Sequence, residues 1–158
     1  MLKNILGATL CLLGFANAHI GVGDCPEPKL QENFDVSRYL GVWFQQARDQ
    51  LSPFEFGNCQ QATLSLNTDG SLKVDNSQYN AKSGEIEEAI GKAICDGPQC
   101  QVGFFGAATN GDYRVVSTDY DNFALIYSCT PAFGSIKAEF VWLLSRDAVL
   151  SDDLKAQA

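Results

Sequence analysis

The chain has 158 residues, enough for one domain with a sizeable core. Nineteen acidic against eleven basic side chains give a formal net charge of -8. That balance argues against a nucleic-acid surface and against docking or stable insertion at anionic membranes. One histidine, His19, leaves no material for an imidazole metal site or a rigidly held Ser-His or Cys-His pair.

Residues 1–18 read as a secretory signal peptide. Lys3 supplies the positive start, Ile5 to Phe15 the apolar stretch, and Ala16-Asn17-Ala18 the small-x-small cleavage site. The apolar stretch is too short to span a bilayer. Leu10 before Cys11 argues against a lipid-anchor cysteine. The expected product is a secreted, extracellular domain over residues 19–158. Once Cys11 leaves with the signal, Cys25, Cys59, Cys95, Cys100 and Cys129 remain. An oxidising compartment favours disulfides for these. Their odd number leaves one thiol free, intermolecular or without its partner.

After a Pro-containing entry segment, short alternating runs recur and helical periodicity is absent. Gly41 to Arg48 is the first strand. From Cys59 to Leu66, Ala62, Leu64 and Leu66 share one face, opposite Gln61, Thr63 and Ser65. Asn67-Thr68-Asp69-Gly70 is a hairpin turn. The next strand sets Leu72, Val74, Asn76, Gln78 and Asn80 against Ser71, Lys73, Asp75, Ser77 and Tyr79, so the first set faces inward and is half amide. Ile86 to Cys95 is a strand of undecided facing. Ile86, Glu88, Ile90 and Lys92 line one side, and Ala89, Gly91 and Ala93 the other. Cys95 and Cys100 flank a tight turn, where a local disulfide is simpler than a metal site. Val102 to Gly106, Asp112 to Ser117, Asn122 to Thr130 and Ile136 to Ser145 complete eight strands. The fold class expected is all-β, an eight-stranded antiparallel up-and-down barrel rather than an immunoglobulin-like sandwich. Ser151 is the expected N-cap of a short C-terminal helix.

Three elements in order carry a more specific signal: Gly41-x-Trp43 opening the first strand, Thr118-Asp119-Tyr120 between two late strands, and Arg146 after the last. Together with Cys25-Pro26-x-Pro28 and the run Gln31 to Val36, they resemble the lipocalin family, and within it the apolipoprotein D-like branch. These are small barrels that carry apolar ligands. The resemblance covers about Cys25 to Leu150. It implies that Trp43 plugs the closed end, that Arg146 lies across its indole, and that Thr118, Asp119 and Tyr120 support that end without chemistry. It also implies a Cys25–Cys129 disulfide. Cys59 matches a family cysteine whose partner lies in a C-terminal tail beyond the present sequence.

The interior expected from alternation and resemblance combines Tyr39, Ala62, Leu64, Leu66, Val74, Phe104, Tyr113, Phe140 and Trp142 with the amides of Asn76, Gln78 and Asn80. An apolar pocket with a few convergent polar groups suits a small hydrophobic ligand: a fatty acid, sterol, retinoid, carotenoid or bilin. No catalytic residue, metal or cofactor is expected. The function read from the sequence is a secreted carrier rather than an enzyme. The other readings are a structural or pigment-complex subunit acting through its surface, and a thiol-dependent lipid isomerase. Cys59, or Phe54 and Phe56 at the open end, offers a route to a homodimer.

Overall fold

In the computed structural model, residues 19–48, 57–106, 111–132, 134–149, 151 and 153 are described. The signal segment, Phe54, Phe56 and all of the C-terminal helix beyond Ser151 and Asp153 lie outside the described residues.

Nine strands and one short helix follow in chain order. They are β1 (His19–Val22), α1 (Val36–Tyr39), β2 (Gly41–Arg48), β3 (Asn58–Leu66), β4 (Leu72–Asn80), β5 (Glu85–Asp96), β6 (Gln99–Phe104), β7 (Gly111–Thr118), β8 (Phe123–Pro131) and β9 (Ile136–Ser145). Strands β2 to β9 pair antiparallel with their sequence neighbours, and β9 closes the barrel by pairing with both β8 and β2. All eight expected strands are present. β1 was not expected. It pairs with Ile136–Glu139 of β9, a stretch that β2 leaves uncovered because its own pairing with β9 covers only Trp142–Ser145.

Strand β5 resolves its facing. Ala89, Gly91 and Ala93 turn inward, while Ile86, Ile90 and Ile94 stay on the outer face. Packing explains the choice. A Cβ added to Gly91 would lie 2.7 Å from the Phe104 ring, so the aromatic on β6 already fills the space a larger residue would need.

Both disulfides form. Cys25–Cys129 ties the N-terminal arm to β8, and Cys95–Cys100 clamps the β5–β6 hairpin. Between Cys25 and Gln31 the arm crosses the outside of β7 and buries Arg114, which is held by Asp112 at 2.9 Å and Glu27 at 3.0 Å. The main-chain N–H of Gln31 then donates to the Val115 carbonyl, and its side chain accepts from the Thr118 N–H. Asp35 caps α1 by accepting from the Ser37 N–H. That four-residue helix delivers Tyr39 across the end of the barrel.

Candidate functional site: a barrel floored by Trp43 and crossed by an amide row

The floor is built around Trp43, which is fully buried. Its indole N–H donates to the Tyr39 carbonyl at 2.8 Å. The Arg146 guanidinium lies 3.6 Å from the ring centroid on the other side, a cation–π contact. The same guanidinium donates to the carbonyls of Tyr120, Val42, Arg38 and Leu40 at 2.7–3.0 Å. Gly41 takes φ +96 and a Cβ there would meet Arg146 at 3.4 Å, so conformation and space both favour glycine. The Thr118–Tyr120 turn is held by side-chain hydrogen bonds. Asp119 accepts from the Asn122 and Phe123 N–H groups, and the Tyr120 hydroxyl accepts from the Asp35 N–H. Arg38 stacks on the Tyr120 ring at 4.3 Å.

Above the floor, Tyr39 and Tyr113 share a hydroxyl–hydroxyl hydrogen bond of 2.8 Å. Burial raises both phenols. Tyr113 is pushed up to about 12, and Tyr39, which also faces Tyr113, is raised well above its ordinary value. Leu64 and Val74 pack beside each other level with Gly41 and are buried. Ala62, Asn76 and Ala89 form one cross-strand row level with Trp43. Phe140 and Trp142 stack on β9, with centroids 5.8 Å apart. Phe104 covers Gly91.

Leu66 is a correction. It has the inward parity of Ala62 and Leu64 but is 51% exposed, because it lies past Gly41 and Trp43, beyond the closed end. Glu87 has the inward parity of Ala89 and Gly91, and it pairs with Gln78 across the β4–β5 ladder. The facing of β5 had to be known before this carboxylate could be placed.

Glu87 terminates a row of amides that runs across four strands. Asn80 Nδ2 donates to it at 2.6 Å and Gln78 Nε2 at 3.0 Å. These two bonds, Asn80 first, hold its carboxyl below the usual range, so it is ionised at neutral pH. Gln78 Oε1 accepts from the Gly57 N–H at 3.1 Å and from Gln60 Nε2 at 3.2 Å. Gln60 Nε2 also reaches the Gly57 carbonyl, and Gln60 Oε1 accepts from Gln45 Nε2. Neither Gln45 nor Gln60 was singled out from the sequence. Gln60 falls outside the alternation because β3 carries an irregularity between Asn58 and Gln61, with Cys59 at φ 52. Cys59 itself is a free, exposed thiol. Asn76 has no hydrogen-bond partner for its side chain among the described residues.

A family model described as a lipocalin-like domain matches residues 34–158. Mouse (Mus musculus) apolipoprotein D is 38% identical over 138 residues, covering 85% of this chain and 71% of that protein. The outer membrane lipoprotein Blc of Escherichia coli K12 is 34% identical over 160 residues, covering 94% and 85%. Among solved structures, insecticyanin from the tobacco hornworm Manduca sexta superposes with a TM-score of 0.77 at 24% identity, covering 89% of this chain and 78% of that one. Lobster apocrustacyanin A1 superposes at 0.74 and 20% identity, covering 92% and 82%. With the Trp43–Arg146 floor, the closed eight-stranded barrel and these matches together, the chain belongs to the lipocalin family.

Proposed function

We propose that this is an exported carrier, released by cleavage after Ala18, that binds one small hydrophobic molecule inside the barrel and delivers it without chemical turnover. The observation that carries this reading is Asn76. Its amide has no partner among the described residues, stands between Ala62 and Ala89, and shares the inner wall with Phe104, Phe140 and Trp142. A half-buried amide among small and aromatic side chains suits the single polar group of an otherwise apolar ligand. Relatives named apolipoprotein and lipoprotein fit the same reading. So does the exposed position of Cys59 at an irregular point of β3, away from the inner wall that a thiol mechanism would need.

The amide row narrows the ligand class. Glu87 can only accept, so Gln78 presents its N–H₂ to it; the Gly57 N–H fixes the opposite end of Gln78, and the Gly57 carbonyl fixes Gln60. Gln45 Nε2 is thereby committed to Gln60, and Gln45 Oε1 is left with no donor among the described residues. A row that begins at a bare acceptor and ends at a carboxylate favours a hydroxyl-bearing ligand and opposes an anionic one.

Titrating the folded protein with cetyl alcohol and with palmitate, matched in chain length, tests both parts. The alcohol should bind about tenfold more tightly. Glu87→Gln should narrow that gap, and Asn76→Leu should weaken both ligands by about tenfold, the worth of one well-placed hydrogen bond. Equal affinities would remove the narrower ligand class and leave the carrier. Saturation by neither ligand, nor by retinol, would remove the carrier.

A further inference from the structure

The outer face of β5 carries a pattern that the barrel does not use. Its outward side chains read Ile86, Glu88, Ile90, Lys92, Ile94, and the three isoleucines are 70%, 46% and 53% exposed. Beside Ile90, at the end of β6, Phe105 is 83% exposed and is joined to it by a main-chain hydrogen bond from the Phe105 N–H to the Ile90 carbonyl. Phe105 also holds φ +55, a conformation that a bulky residue adopts at a cost. Across the ladder from Ile86, Tyr79 extends the apolar strip onto β4. A shallow depression of about 500 Å³ lies beside it, lined by Ile90, Lys92 and Lys73 and opening over Gly103 and Gly106.

We propose that this face is where two copies of the chain associate, with their β5 strands antiparallel about a two-fold axis passing beside Ile90. The charge order decides both the partner and the orientation. Reversed about Ile90, the sequence of side chains is apolar, basic, apolar, acidic, apolar. Each Glu88 then meets the Lys92 of the second copy, and each Ile86 meets Ile94. Glu88 has no charged partner among the described residues, whereas Lys92 already leans on Asp69 at 2.6 Å and keeps further donors to share. Parallel strands would instead set Glu88 against Glu88 and Lys92 against Lys92, so the pattern is selective as well as attractive. The Phe105 ring is the projecting element, and the glycine-floored depression of the other copy is the space it enters. An isologous contact of this kind closes at two copies.

A lipid surface is the weaker match. Glu88 and Lys92 alternate with the isoleucines and would have to be desolvated unpaired, and the net charge of -8 opposes anionic headgroups. The strip is short, so the interface belongs to the concentration-dependent class rather than the obligate one.

Sedimentation of the mature, oxidised chain across a concentration series tests this, with circular dichroism as the folding control. Wild type should move from monomer to dimer as concentration rises. Glu88→Lys and Lys92→Glu should each weaken self-association by about tenfold or more. A one-to-one mixture of the two variants should restore the dimer, since each face then meets its opposite. A variant that merely misfolded could not be rescued by mixing. Phe105→Ser should weaken the dimer and leave the spectrum unchanged. A wild type that stays monomeric would overturn the proposal, as would variants that dimerise like wild type. A dimer lost in Cys59→Ser would overturn it too, and so would a monomer that binds phosphatidylcholine vesicles through Phe105.

Discussion

At the closed end of the barrel, one cation is divided among four carbonyls and an indole face. Away from that end, a row of amides runs from a Gln45 oxygen with no donor among the described residues to an exposed carboxylate on Glu87. Arg146 therefore links α1, β2 and the β7–β8 turn into one unit, and the aromatic cluster of Phe34, Tyr39, Trp43 and Tyr120 has little freedom left. The amide row is directional but incomplete. Fully matched polar groups hold the closed end together, whereas the amide row carries acceptor capacity that its own strands leave unused among the described residues.

Substitutions at the two ends should differ accordingly. Trp43→Ala should have the largest effect, destabilising the fold by about 3–5 kcal/mol through a large floor cavity, read by chemical denaturation. Arg146→Ala follows at about 2–3 kcal/mol, because it removes charged donors from four carbonyls. Arg146→Lys should recover little of this, since an ammonium cannot span four acceptors and stack on the ring at once.

The Tyr39–Tyr113 pair predicts an alkaline limb. Both phenols titrate higher in the folded protein than the ordinary value near 10, so the folded state retains protons that the unfolded chain releases. Their stabilising contribution is complete below pH about 10 and declines as pH rises towards about 12. Converting both to Phe should flatten that decline without abolishing it. Tyr127, raised by burial and then by the Glu139 carboxylate, titrates on the outer face and remains. Glu87→Gln is the smallest structural perturbation. It should leave the thermal midpoint where it was and change only ligand preference, which is the sharpest form of the contrast between the two ends.

Much of this was legible in the chain, and the failures have physical causes. Strands β3 and β4 could be read because one face is apolar or amide and the other polar or charged, from Ala62 to Leu66 and from Leu72 to Asn80. Gly41, Trp43, Asp119 and Arg146 were singled out through the resemblance to the lipocalin pattern rather than through periodicity, since Arg146 binds carbonyls far from it in sequence. Strand β5 was not, because its isoleucines face outward and its inward Gly91 is kept small by Phe104, a residue on another strand. Glu87 was hidden by the same ambiguity. Gln60 was hidden by the irregularity around Cys59, which shifts parity in a way no alternation reveals. Leu66 was misplaced because alternation gives a face but not a height along the barrel. Arg114 looks like a surface charge until the arm pinned by Cys25–Cys129 is laid over it. Helix α1 is too short for periodicity, although Asp35 followed by Ser37 carries its cap.

Tryptophan emission during titration with cetyl alcohol tests the central claim most directly, namely that the barrel interior holds an apolar ligand. Trp43 is sealed under Arg146, whereas Trp142 stacks with Phe140 on the inner face of β9. Saturable quenching that largely disappears in Trp142→Phe is the predicted result. A flat response from folded wild-type protein, or quenching unaffected by Trp142→Phe, would contradict it.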